Sequence, residues 1–124
     1  MAAGMVTETF TPDGLLVGSF PVVTDKLTLV SGQNVVRGEV LGKITTGGKL
    51  AASLSAATDG SETPYAIAAE AVDASGGDAS IAVYLSGEFD SDKLTIGTAH
   101  TAASIKDGLR ALGIYLKTNT VDAV

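Results

Sequence analysis

The 124-residue chain has no cysteine and no tryptophan, and a single histidine. The missing thiols exclude disulfides, thiolate metal sites and cysteine nucleophiles together. With one imidazole, His100, no metal cluster can be assembled from paired histidines; in "GTAHTAAS" it reads as a loop residue near a helix start, with action as a lone base the alternative. Basic residues are also few. Eight Lys and Arg stand against fourteen Asp and Glu, for a net charge of −6, and they are scattered. Nucleic-acid binders hold phosphates with clustered cations, so the charge pattern argues against that class. No apolar run approaches the roughly 18 residues of a membrane span, and the N-terminus lacks the basic start and apolar stretch of a signal peptide. The chain is expected to be soluble and unexported, without nucleic-acid or membrane partners.

What the chain has is small residues: 15 Gly and many Ala, with only three Phe and three Tyr. This length suits one core, and a core of small side chains gains less per position at about 25 cal/mol per Å² of buried apolar surface. Association with further copies or with a larger partner would add burial.

Residues 1–19, "MAAGMVTETFTPDGLLVGS", show no sustained period and are broken by Pro12, Gly14 and Gly18. They read as an arm, with an edge strand of the same domain as the alternative. Phe10, Leu15 and Leu16 are notable because a purely solvated tail has no need of them. From Pro21 onward β signals dominate. "PVVTDKLTLVSG" suits one or two short strands. In "VVRGEVLGKIT", Val36, Val40 and Ile44 share one face at period two, opposite Arg37, Glu39 and Lys43, which predicts a strand with Gly38 and Gly42 on its apolar face. "TTGG" then predicts a hairpin turn and "KLAASLS" the return strand. "YAIAAEAV" fits strand or helix by period, and its flanking turns favour a buried strand; "SIAVYLSGEF" alternates as a strand that pairs with it. One helix is predicted in "TAASIKDGLRAL", with Ser104 and Asp107 resembling a capping box, Ile105, Leu109 and Leu112 at helical spacing and Gly113 at the C-terminal cap. "GIYLK" is again strand-like. No repeat or linker divides the chain, so the expected organisation is an arm over 1–19 and a β-rich domain over 20–124.

Patterns that would carry chemistry fail on detail. "GEVLGKI" has three residues between its glycines where a phosphate loop needs four, and Ile44 stands where the Mg²⁺-binding hydroxyl belongs. Lys43 and Lys49 are candidates for the modified lysine of a biotinyl- or lipoyl-like carrier, but both read as exposed lysines beside turns. Asp90 and Asp92 lack EF-hand spacing. Glu70 and Glu88 could form an acid/base pair only if their separation allowed it. No catalytic, cofactor or metal site is assigned.

Taken in order, "FPVVTDKLTLVSGQNVVRGEVLGKIT", "ATDGSETPYAIAAEAVDASGGD", "AVYLSGEF" and "HTAASIKDGLRALGIYLK" resemble the bacteriophage head decoration protein family, over roughly Leu15 to Lys117. The resemblance implies a mainly β, β-clip-like small barrel or sandwich with one short helix, preceded by a flexible N-terminal arm. It implies a non-enzymatic virion protein without cofactors. Homotrimers would bind the major capsid protein at local threefold sites on the outside of the mature head, after assembly in the host cytoplasm, and stabilise the head against DNA pressure. The arm, with Thr7, Thr9, Phe10, Leu15 and Leu16, would be the capsid-binding element, and Gly38 and Gly42 would be structural. The alternatives are a small carrier or ligand-binding barrel and a phage tail or fibre module.

Overall fold

Eight strands and one helix account for the regular structure of residues 14–117, which the computed structural model describes. In chain order the elements are β1 (Val23–Leu29), β2 (Asn34–Val35), β3 (Val40–Lys43), β4 (Leu50–Ala52), β5 (Pro64–Ala68), β6 (Val72–Asp73), β7 (Ala79–Asp90), α1 (Ala102–Arg110) and β8 (Ile114–Lys117), with a 3₁₀ turn at Ser91–Lys93 between β7 and α1. The main sheet runs β1-β4-β3-β5-β7-β8, and β1 also pairs with β7, so five strands close into a small barrel and β8 extends it from β7. Closure is uneven. β1 lies antiparallel to β7 from Val23↔Ser86 to Leu29↔Ala79, whereas it meets β4 only at Leu29↔Leu50, supported by Val30 N–H donating to the Leu50 carbonyl.

The barrel wall is packed on two sides. Leu29, Leu41, Leu50, Ala66, Ala68, Ile81 and Val83 form one buried cluster, while Val40, Ile67, Tyr84, Phe89, Ile114 and Leu116 form a second with Ile105 and Leu109 of the helix. β3 and β5 therefore send consecutive residues into different clusters and are buried on both faces. That is the physical reason "YAIAA" carries no alternation: a strand with two dry faces has no polar side. Among the described residues Phe89 is the one aromatic with a fully buried side chain, and alanines line much of the other cluster, as the composition led one to expect.

Two local expectations change. "VVRGEVLGKIT" is not one strand: β2 ends at Val35, and Val36–Glu39 makes a turn in which Glu39 N–H donates to the Val36 carbonyl. Gly38 has φ +91°, a left-handed conformation that side chains resist, and Val36 is 48% exposed. Only Val40–Lys43 continues as strand. The helix starts three residues earlier than the Ser104 signal implied. Thr101 is its N-cap: Thr101 Oγ1 accepts from Ser104 N–H at 3.1 Å, and Ser104 Oγ accepts from Thr101 N–H at 2.9 Å. Helical structure ends at Arg110, so Leu112 falls beyond it and is exposed, while Gly113 takes the left-handed turn into β8. The TTGG hairpin, the β5–β7 pairing and the final strand form as the pattern predicts.

Candidate functional site

The far end of β7 is where the N-terminal segment joins the barrel. Leu15 is 2% exposed within the helix-side cluster. Its carbonyl accepts from Asp90 N–H at 2.8 Å, Leu16 bridges antiparallel to Phe89, and Val17 N–H donates to the Glu88 carbonyl at 2.9 Å. Farther along, Ser86 Oγ donates to the Pro21 carbonyl and accepts from Val23 N–H, and the Phe20 ring meets Tyr115 edge-on at 4.8 Å. β8 runs parallel on the other side of β7, with Glu88 opposite Tyr115 and Asp90 opposite Lys117. Residues 14–20 thus form a strap that packs on the domain. Of the residues expected in the arm, Leu15 and Leu16 belong to this strap, and Thr7, Thr9 and Phe10 lie outside the described residues.

Glu88 organises the strap. Its side chain is 13% exposed, Oε1 lies 2.6 Å from Lys117 Nζ, and Oε2 accepts from Phe20 N–H at 2.8 Å. The Lys117 ammonium, followed by the Phe20 amide, holds this carboxyl below its ordinary value. Glu70 is also held low, chiefly by the Ala82 amide and then by Lys26. Both glutamates are therefore anchored anions where an acid/base pair would need one raised carboxyl. Glu70 is tied to β7 at Ala82, about 20 Å along the strand from Glu88 at roughly 3.3 Å per residue. The structure does not bring the two together.

The remaining polar candidates are built into the framework. His100 Nε2 lies 2.9 Å from the Glu62 carbonyl and 3.3 Å from Ser53 Oγ, which itself donates to that carbonyl. Ser53 is completely buried, so this Ser–His contact joins two loops and presents no nucleophile to a substrate. Sequence spacing gave no sign of it, because the partners stand 47 positions apart. Asp90 accepts from Asp92 N–H and caps the 3₁₀ turn. Lys43 lies over the Tyr65 ring at 5.1 Å, and Lys49 pairs with Asp78, so each engages a neighbouring loop or strand. A cleft of 230 Å³ between α1 and β8, lined by Ser91, Ala102, Ala103, Lys106 and Leu116, is smaller than the roughly 300–1,000 Å³ of small-molecule sites.

Gly42 and Gly38 do separate jobs in positioning the site. Gly42 faces the Ser61 main chain, and a Cβ would lie 2.6 Å from the Ser61 carbonyl carbon. Gly38 turns the chain beneath Leu15: a Cβ there would lie 3.4 Å from Leu15 Cδ1 and 3.1 Å from the Lys93 carbonyl oxygen.

The described residues form a small barrel with a strap packed along β7, an anchored carboxylate at Glu88 and a helix against one wall. Comparison with protein families matches the family model of the bacteriophage lambda head decoration protein D over residues 5–115. The chain belongs to this family. No curated protein sequence gives a significant match. The matched region begins before the strap and runs through strap, barrel and helix. Membership identifies a structural phage protein of the head, with a role in decorating the capsid and association with it.

Proposed function

We propose that this head decoration protein binds as a homotrimer to the outside of the mature capsid at local threefold sites, contacts the major capsid protein through its N-terminal arm, and stabilises the head against internal DNA pressure. The family match over residues 5–115 carries this reading, because it takes in the sequence before the strap together with the whole barrel. Thr7, Thr9 and Phe10 supply the capsid contact, and Leu15 and Leu16 form the root that fixes where the arm departs. An extended arm gains main-chain hydrogen bonds by adding to an exposed sheet edge of the capsid. Ordering it costs about 1–2 kcal/mol per residue, so one arm binds weakly. Three arms on one trimer raise the apparent affinity by orders of magnitude when they engage together. The many small core residues and the exposed Phe20, Val22 and Val23 beside the strap are consistent with further burial in an assembly.

The test is the heat stability of undecorated, DNA-filled heads with and without the purified protein. The decorated heads should retain DNA to higher temperature, and native mass at micromolar concentration should be three times the 12.4 kDa of the chain. Unchanged DNA release rejects the stabilising role, and a monomeric mass rejects the trimer.

A further inference from the structure

Glu88 ties together three parts of the chain: its own strand β7, the strap before it, and β8 after it. Its main-chain carbonyl accepts from Val17 N–H, its Oε2 from Phe20 N–H, and its Oε1 pairs with Lys117. The Ser19 amide, next in the chain, adds a smaller pull on the carboxyl in the same direction. Gly18, between these contacts, has φ +71°, and a Cβ on it would overlap the carboxylate, with Cδ at 2.6 Å. This left-handed residue turns the strap over the carboxylate and aims the Phe20 amide at it.

We propose that Glu88 is a releasable clasp: ionised, it holds residues 18–20 against β7 and β8, and protonated, it lets them lift from the barrel while Leu15 stays buried.

Several charged and titratable groups surround it. β8 contributes Lys117, in contact, and Tyr115, opposite Glu88 in register. β7 contributes Asp90 two residues on, occupied with the Asp92 amide, and the 3₁₀ turn contributes Lys93, whose side chain lies beside Gly14. The strap itself, "GLLVGSF", contributes none. Among the described residues the clasp therefore depends on a single carboxylate and its one contacting cation, Lys117. Protonation removes the ion pair and weakens the charge-assisted amide bonds. Because the folded carboxyl is held below its ordinary value, the clasp is intact above the usual Glu value of about 4.3 and is lost as pH falls through the lower folded value. The main-chain bonds from Asp90 to Leu15 and from Val17 to Glu88 do not involve the carboxylate and stay, so release begins at Gly18 and takes Phe20 from Tyr115. The consequence for capsid binding, loss of a fixed direction for the arm, rests on the proposed function; the clasp does not.

The experiment follows the backbone amides of Gly18, Ser19 and Phe20 and the Phe20–Tyr115 ring contact by NMR on the full chain as pH is lowered. The three amides should shift together with a midpoint below the ordinary Glu value, and the ring contact should vanish in the same step. Glu88→Gln should show the released strap already at neutral pH, with amide protection at Phe20 reduced roughly tenfold, the size expected for losing one charge-assisted hydrogen bond. A ring contact that survives the titration, or that persists in Glu88→Gln at neutral pH, overturns the proposal. If Glu88→Gln loses protection throughout the barrel, Lys117→Met decides: loss confined to residues 18–20 upholds the clasp, and unchanged protection there overturns it. Head binding is measured separately, so failure of the capsid reading leaves this result intact.

Discussion

Gly42 lies against the main chain of Ser61 with no room for a methyl group between them. Both partners are backbone, so no rotamer change relieves the contact. Gly42→Ala is expected to destabilise the domain by at least about 2 kcal/mol, at the upper part of the range for overpacking, and Gly42→Val to prevent folding. Gly76→Ala, at a glycine with open space around it, serves as the control and should be neutral. Urea unfolding midpoints check this. Equal midpoints for wild type and Gly42→Ala would remove the structural reason for this glycine.

Leu15 sits at a sequence position that reads as arm and a spatial position that is core. It belongs to the buried cluster that also holds Phe89, Ile114 and the helix residues Ile105 and Leu109. Leu15→Ala should cost about 2–5 kcal/mol, the range for deleting a buried leucine side chain. A cost near zero by denaturant unfolding would return Leu15 to the arm. The same burial makes a truncation through residue 19 a poor probe of the arm, because it removes a core side chain with it.

Helix α1 offers a pair of opposed effects. Thr101→Ala removes the N-cap oxygen from the Ser104 amide and should cost about 1 kcal/mol. Gly108 stands mid-helix with nothing within 4 Å of a built Cβ, so Gly108→Ala should gain about 0.5–1 kcal/mol. Thermal melts of both single variants check the signs. A destabilising Gly108→Ala would show that the open face is covered by something in solution.

The sequence showed the fold class, the single helix, the hairpin at TTGG and the alternating strand β7, because each rests on local patterning that tertiary packing then reinforces. It hid what depends on two-sided burial and long-range contact. β3 and β5 lose their alternation between two apolar clusters, and Gly38 ends a pattern that period two alone carries through to Ile44. The strap was harder still. Leu15 and Leu16 were noticeable as apolar residues in a glycine-broken stretch, yet the contacts that hold the strap, Val17 with Glu88 and Phe20 with Tyr115, join positions far apart in the chain. The Glu88–Lys117 pair and the Ser53–His100 contact left no trace in spacing for the same reason.

The central claim is that this protein decorates phage heads through the segment before the strap. The direct measurement mixes undecorated heads with the full chain or with a chain lacking residues 1–13, which keeps Leu15 and the strap, and sediments the heads. The account predicts that the full chain travels with the heads and that the shortened chain, folded and with the same native mass, stays in the supernatant. Sedimentation of both with the heads would contradict the arm assignment, and sedimentation of neither would contradict the decoration role itself.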